Sequence, residues 1–207
     1  MSSTASNPKI QFWFEFASTY SYPAAMRIAD AAGAAGVTLE WRPFLLGPIF
    51  GSQGWNDSPF NVYPTKGRYM WRDLERICVK LGIGLQRPSR FPRNGLTAAR
   101  VAQIASDQGW VAEFTRAVYA ANFAEDREIG EHDVIAEIIA SLERDPDEVL
   151  GRALAPDNKE RLKRTSEEAS RLGLFGAPSF VVGDELFWGN DRLEDALAWA
   201  KAHSDRS

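Results

Sequence analysis

The amino-acid sequence predicts an α/β protein in which one sheet is assembled from both ends of the chain around an all-helical middle. Three observations carry that expectation. Residues 10–41 read strand, helix, strand; residues 66–172 carry one helical pattern after another with few strand signals; residues 179–188 return to strand chemistry just before a last helix.

Ile10-Gln11-Phe12-Trp13-Phe14-Glu15-Phe16 is short, aromatic and mostly apolar, as a buried strand should be, and it runs into small and hydroxyl residues at Ala17 to Ser21. From Tyr22 to Ala35 an Ala-rich run carries Pro23 in its first turn, where a missing N–H costs nothing, and it stops near Gly33 and Gly36. Val37 to Trp41 alternates as a second strand that Arg42-Pro43 closes. Phe44 to Pro64 mixes Gly47, Pro48, Gly51, Gly54, Pro59 and Pro64 with Phe50, Trp55, Phe60 and Tyr63, and reads as a long aromatic loop of the kind that lines a binding site or packs its own rings.

Helical patterns follow at about 66–81, 96–107, 110–123, 131–142, 146–153 and 156–172. Ser179–Val182 and Glu185–Trp188 are two short strands joined by the turn pair Gly183-Asp184. Asn190 is a natural N-cap for a final helix from Asp191 to about Ala202, whose first turn is acidic as the helix dipole favours. Placing both β-rich ends in one sheet gives a thioredoxin-like domain, residues 1–65 with 156–207, carrying an all-helical insertion at 66–155.

Composition narrows the chemistry. The 207 residues include 24 Lys+Arg against 28 Asp+Glu, a net charge of −4, which gives no long-range attraction for nucleic acid; no basic run suggests a membrane surface contact. No stretch of about 18 apolar residues occurs, and Met1 to Pro8 is small and polar, so a cytoplasmic protein is expected. One cysteine, Cys78, excludes an intramolecular disulfide, a Cys-rich zinc site and a dithiol redox pair; with only His132 and His203, a multi-histidine metal cluster is improbable and no metal is expected.

Three stretches could carry chemistry. In a thioredoxin-like fold the loop after the first strand leads into a helix N-terminus that stabilises a thiolate. Here it reads Ser18-Thr19-Tyr20-Ser21, with hydroxyls where a redox enzyme has two cysteines. A serine cannot shuttle electrons, but it can donate a hydrogen bond to a thiolate brought by another molecule; read blandly, Ser18 or Ser21 caps the helix. In Phe175-Gly176-Ala177-Pro178-Ser179-Phe180 a proline precedes a strand, and a cis Ala177-Pro178 bond would leave the Ala177 backbone open to an extended peptide, whereas a trans bond would be an ordinary strand edge. Trp188-Gly189-Asn190-Asp191 could take an amino-acid-like end of a ligand, with N–H groups for a carboxylate and Asp191 for an ammonium, or could simply cap the last helix.

The stretches Phe-Glu-Phe-Ala-Ser-Thr-Tyr-Ser-Tyr (14–22), Trp-Arg-Pro-Phe-Leu-Leu-Gly-Pro-Ile-Phe (41–50), Tyr-Pro-Thr-Lys-Gly-Arg-Tyr-Met (63–70), Phe-Pro-Arg-Asn-Gly-Leu (91–96) and Phe-Gly-Ala-Pro-Ser-Phe with Phe-Trp-Gly-Asn-Asp-Arg (175–192) resemble the 2-hydroxychromene-2-carboxylate isomerases. These are relatives of the kappa-class glutathione transferases in the DsbA-like thioredoxin superfamily. The resemblance covers about residues 10–200 and implies a glutathione-dependent enzyme, with homodimers common among its relatives. It puts the active-site serine on Ser18 and the cis-proline on Pro178, with Ala177 pairing the tripeptide backbone. It also puts the γ-glutamyl site on Trp188, Gly189, Asn190 and Asp191, the glycyl carboxylate on Lys66 and a further glutathione contact on Asn56. Tyr20, Phe50 and Arg93 become candidates for the aromatic carboxylate substrate. Thr19 departs from the proline usual after the serine.

The residue types suit that chemistry. A thiolate that adds reversibly to a conjugated carbon permits rotation and then leaves. The protein needs a hydrogen-bond donor for the thiolate, an aromatic wall and a cation. Ser18, the aromatics Tyr20, Phe50, Trp55 and Phe91, and Arg93 or Arg68 could supply them. For each aromatic the plainer role is core packing, and for Lys66 a solvated place at a helix start. Cys78 reads as a buried structural residue. Other readings are a kappa-like transferase or peroxidase, a non-catalytic glutathione-binding module and, weakest, a thiol-disulfide oxidoreductase.

Overall fold

Lys9–Phe14 forms β1 and Thr38–Pro43 forms β2, parallel strands that place Phe12 beside Trp41. These coordinates are a computed structural model describing residues 8–54 and 57–203. Ser21–Ala35, α1, connects the two strands and ends at Gly36, whose φ of 68° closes the helix. There the Gly36 N–H bonds to the Gly33 carbonyl and the Val37 N–H to the Ala32 carbonyl, satisfying acceptors that the helix end would otherwise leave open.

Ser179–Val182 and Glu185–Trp188 are β3 and β4, and they complete a four-stranded sheet in the order β2-β1-β3-β4. β3 runs antiparallel to β1, with Phe12 opposite Phe180, and to β4 through a two-residue turn. Gly183, at φ 57°, supplies the positive φ such a turn needs at its first central position. The two ends of the chain thus meet in one sheet, as expected.

Successive residues of a strand face opposite sides, and β1 is buried on both. Ile10, Phe12 and Phe14 enter the main core, where Phe12 stacks on Phe180 at 5.6 Å. Trp13 points the other way, into a smaller cluster with Phe44, Ile49 and Leu174.

The middle of the chain supplies α4 (Pro64–Leu81), α5 (Leu96–Gln108), α6 (Val111–Phe123), α7 (His132–Ser141) and α8 (Pro146–Ala153). α9 (Pro156–Arg171) and α10 (Leu193–Ala202) follow, the latter after β4. Pro64, Pro146 and Pro156 each open a helix, where proline's fixed φ suits the first turn. The helices and the sheet share one core: Phe14, Phe16, Tyr119 and Phe114 form a chain of ring contacts from β1 into α6.

Two details differ from the sequence reading. The 44–64 segment contains α2 (Leu46–Ser52) and α3 (Pro59–Val62), because Pro48 and Pro59 fall in first turns and Ser58 caps the second, accepting the Phe60 N–H at 3.3 Å. Asn190 does not cap the last helix. It opens a 3₁₀ turn, Asn190–Arg192, and its side-chain oxygen is taken by Arg27.

Candidate active site

A cleft of about 1360 Å³ opens where the ends of β1 and α1 meet the 175–177 segment, with α4 and the α2–α3 stretch along its other wall. That exceeds the roughly 300–1,000 Å³ typical of a drug-sized ligand, so there is room for two small molecules side by side.

Ser18 sits between β1 and α1. Its hydroxyl donates to the Ala177 carbonyl at 2.8 Å and accepts the Ser21 N–H at 3.3 Å. It therefore serves the helix N-terminus and touches the 177 segment at once, joining residues 159 apart in sequence. The Ala177-Pro178 peptide is cis, as the 175–180 stretch suggested. Thr19 is buried, and its hydroxyl meets no partner among the described residues.

The 188–191 residues come to the same cleft. The Gly189 N–H bonds to the Pro178 carbonyl at 2.9 Å, which ties the β4 end to the cis-proline segment. Trp188 is half exposed and packs on Phe175 at 4.9 Å between ring centroids. Gly176 lies against that indole so closely that a Cβ there would clash with it. Gly189 has φ 113°, and its position would bring a Cβ to 2.6 Å of an Asp191 carboxylate oxygen. From α1, Arg27 reaches across to the Asn190 carbonyl at 2.6 Å and also contacts Glu194. Asp191 lines the cleft and accepts from Arg192 at 2.9 Å.

α4 presents Lys66, Met70, Asp73, Ile77 and Lys80 to the cleft, a spacing of three and four that keeps all five on one helix face. Tyr20 donates its hydroxyl to Asp73 at 2.9 Å and sets its ring edge-on to Phe60. Burial, reinforced by the Asp73 carboxylate, raises the Tyr20 hydroxyl well above the ordinary tyrosine range, so Tyr20 is a fixed donor and not a base. Phe50 and Lys66 line the cleft, with Lys66 above the Phe60 ring. Asn56 and Trp55 lie outside the described residues.

Arg93 requires a correction. Arg93 lines the cleft, but its guanidinium is buried and paired with protein groups. It contacts Asp126, donates to the Asn122 carbonyl at 3.1 Å and the Asn122 side chain at 3.2 Å, and faces Glu128 at 3.5 Å. Its charge is paired with acidic groups at the end of α6, which makes it a poor partner for a substrate carboxylate. Arg68 bonds to Thr65 and is not among the cleft residues. Lys66 and Lys80 border the cleft with no carboxylate partner among the described residues.

Glu15, at the end of β1, had no role in the sequence reading beyond its place in a strand. It lines the cleft beside Ser18, and its Oε2 accepts the Ala17 N–H at 3.0 Å. Burial pushes its carboxyl up to about 7, only partly opposed by the Ala17 and Ser18 N–H groups. Cys78 is not among the cleft residues; it lies on the buried face of α4, and desolvation pushes its thiol up to about 11. No cluster of three or more metal-ligating side chains occurs among the described residues.

Comparison with known proteins agrees with this geometry. A 2-hydroxychromene-2-carboxylate isomerase of Sphingobium xenophagum is 29% identical over 187 residues, covering 89% of this chain and 94% of that one. Human glutathione S-transferase kappa 1 is 25% identical over 199 residues, covering 89% and 87%. A solved 2-hydroxychromene-2-carboxylate isomerase structure superposes with a TM-score of 0.83 at 25% identity, covering 96% of this chain and 99% of that one. The resemblance carried by residues 14–192 is thereby borne out. With the family model of the DSBA-like thioredoxin domain matching residues 9–198, and a sheet of the same kind built from both ends, the chain belongs to the DSBA-like thioredoxin family.

Proposed function

We propose that the protein is a glutathione-dependent isomerase of a bicyclic aromatic 2-hydroxy-carboxylate, interconverting 2-hydroxychromene-2-carboxylate and trans-o-hydroxybenzylidenepyruvate. The observation that carries this reading is Ser18, a hydroxyl at a helix N-terminus in the cleft that touches the Ala177 carbonyl, in a chain whose only cysteine is buried elsewhere.

The residues fit glutathione by their chemistry. That tripeptide has a thiol, an ammonium and two carboxylates, and three sides of the cleft carry a hydroxyl donor (Ser18), a carboxylate (Asp191) and an ammonium (Lys66). Ala177 and Pro178 would receive its backbone, and Trp188, Gly189 and Asn190 its γ-glutamyl end, with Asn56 as a further contact. When bound, glutathione supplies a thiolate able to add reversibly to a conjugated carbon. When the thiol is bound, the Ser18 hydroxyl turns its one proton from the Ala177 carbonyl to the sulfur, which favours the ionised thiol near neutral pH, aided by the N-terminus of α1. Tyr20, held by Asp73, and Phe50 form the wall for the substrate rings. Lys80, at the far end of the α4 face, is the cation suited to the substrate carboxylate in place of Arg93. In this reading residues 1–65 and 156–207 supply most of the tripeptide contacts and the aromatic wall, and the 66–155 insertion adds Lys66 for the tripeptide and Lys80 for the substrate. The protein works in the cytoplasm, as a homodimer, in breakdown of aromatic hydrocarbons.

Turnover of 2-hydroxychromene-2-carboxylate with and without glutathione tests the proposal, and equal rates would sink it. Ser18→Ala is expected to lower the glutathione-dependent rate by about 10- to 100-fold, the worth of one hydrogen bond to a charged group. The similarity to the human kappa transferase favours one second reading, conjugation of glutathione to an electrophile. A chlorodinitrobenzene assay run in parallel separates the two.

A further inference from the structure

We propose that Glu15 is the proton carrier that opens and closes the cyclic form of the substrate, a step independent of the thiol. This role rests on the isomerase reading for its substrate class, a cyclic hemiketal of an aromatic 2-keto acid.

The geometry is that of an acid placed for chemistry. Glu15 leaves the end of β1 three residues before Ser18, and its carboxyl lies in the same cleft. One oxygen is steadied by the Ala17 N–H, while the other lies beside Gly95, where only the absence of a side chain makes room for it: a Cβ at Gly95 would meet Phe16 at 2.7 Å and Glu15 Oε1 at 3.3 Å. Among the described residues no cation is paired with it. From α6, Tyr119 donates its hydroxyl to the Glu15 carbonyl at 2.8 Å and stays protonated, its own ionisation raised by burial. On the 91–96 stretch, Arg93 is committed to Asp126 and Glu128. The charged cleft residues of α4 are Lys66, Lys80 and an Asp73 that already accepts from Tyr20. A surface glutamate would find a cation or water; this one is desolvated, with its ionisation brought to about 7, where a carboxyl can both take and return a proton.

The step balances. Ionised Glu15 removes the proton of the 2-hydroxyl as the C2–O bond to the ring oxygen breaks. The O–H electron pair becomes the new carbonyl π bond, and the C–O pair moves to the ring oxygen. That phenolate oxygen then takes the proton back from Glu15. Closure is the reverse, and no proton is gained or lost overall.

The test measures hemiketal–ketone exchange of the substrate by NMR magnetisation transfer, without glutathione, on wild type and Glu15→Gln, together with ¹³C titration of labelled glutamate carboxyls. The expected result is wild-type acceleration of ring opening that rises with pH through about 7, as one carboxyl titrates there. Glu15→Gln is expected to lose both that resonance and about 100-fold of the acceleration, its pH profile becoming flat, with Glu15→Asp recovering part of it. Glutathione affinity should be the same in wild type and Glu15→Gln. An unchanged rate and profile in Glu15→Gln overturns the role. Should that variant not fold, the wild type alone decides: no carboxyl titrating near 7, or no inflection there, overturns it equally. Glutathione-dependent isomerisation without accelerated ring opening overturns the role of Glu15 and leaves the isomerase reading intact; accelerated ring opening without glutathione dependence does the opposite.

Discussion

Ser18 and Cys78 show how position sets what a polar side chain can do. The Ser18 hydroxyl is within reach of ligand and holds two hydrogen bonds that bind the α1 start to Ala177. The Cys78 thiol has desolvation against it and is 1% exposed. With ionisation near 11, about one thiol in a thousand is thiolate at pH 8, and the thiolate is the reactive form. Cys78 should therefore resist Ellman's reagent in the folded protein and react at once in denaturant, and Cys78→Ala should leave glutathione-dependent turnover unchanged. Rapid labelling of the native protein would mean that the α4 packing opens far more readily than the structure implies.

At the scale of elements, the site depends on short segments whose geometry is fixed by a few contacts. The turn from β4 into the 3₁₀ stretch is held by the Gly189–Pro178 bond and by Arg27 on Asn190. Gly189→Ala would put a side chain at φ 113° and 2.6 Å from Asp191, at a strain of roughly 1–3 kcal/mol. Calorimetric titration should then find glutathione bound at least about 10-fold more weakly, with the protein still folded; unaltered affinity would remove the 188–191 turn from the ligand site. Arg93→Ala acts elsewhere. It removes the buried guanidinium's bonds to Asn122 and its pairs with the partly exposed Asp126 and Glu128, and urea unfolding should show a lower midpoint.

These same elements show what a sequence can reveal. β1, the Gly183-Asp184 hairpin and the proline-opened helices were legible because their signals are local: an aromatic run, a turn pair, a residue with fixed φ. Ser18 and Ala177 were legible as a pair only through a family pattern, since nothing local joins residues 159 apart. Arg93 was misread because a basic residue in a loop gives no sign of the Asn122 and Asp126 groups that consume it. Glu15 was passed over for a related reason. Desolvation belongs to the folded surroundings, and an acid at a strand end looks like any solvated one until Phe16, Gly95 and Tyr119 are packed round it.

For the whole molecule, the consequence is a stability that depends on pH through the site. One continuous core runs from the sheet through α6 into the inserted helices, and Glu15 lies at its edge. Its carboxyl ionises near 4.5 in the unfolded chain and near 7 in the folded protein. Below the unfolded value both states are protonated and the buried acid costs nothing. As pH rises through the folded value, the charge must be held against desolvation, and the penalty grows to at most about 3 kcal/mol. Glu40 and Asp126, whose ionisation is lowered by Lys9 and by Ser89 with Arg93, work in the opposite sense, and their contribution is lost only as the medium becomes strongly acid. Comparing wild type with Glu15→Gln cancels those other groups. Urea unfolding of the two should give a stability difference that moves in favour of the glutamine variant by up to about 3 kcal/mol between pH 5 and pH 8. A difference that stays constant across that range would mean that the Glu15 carboxyl is solvated in the native protein. The cleft would then have no acid tuned to neutral pH.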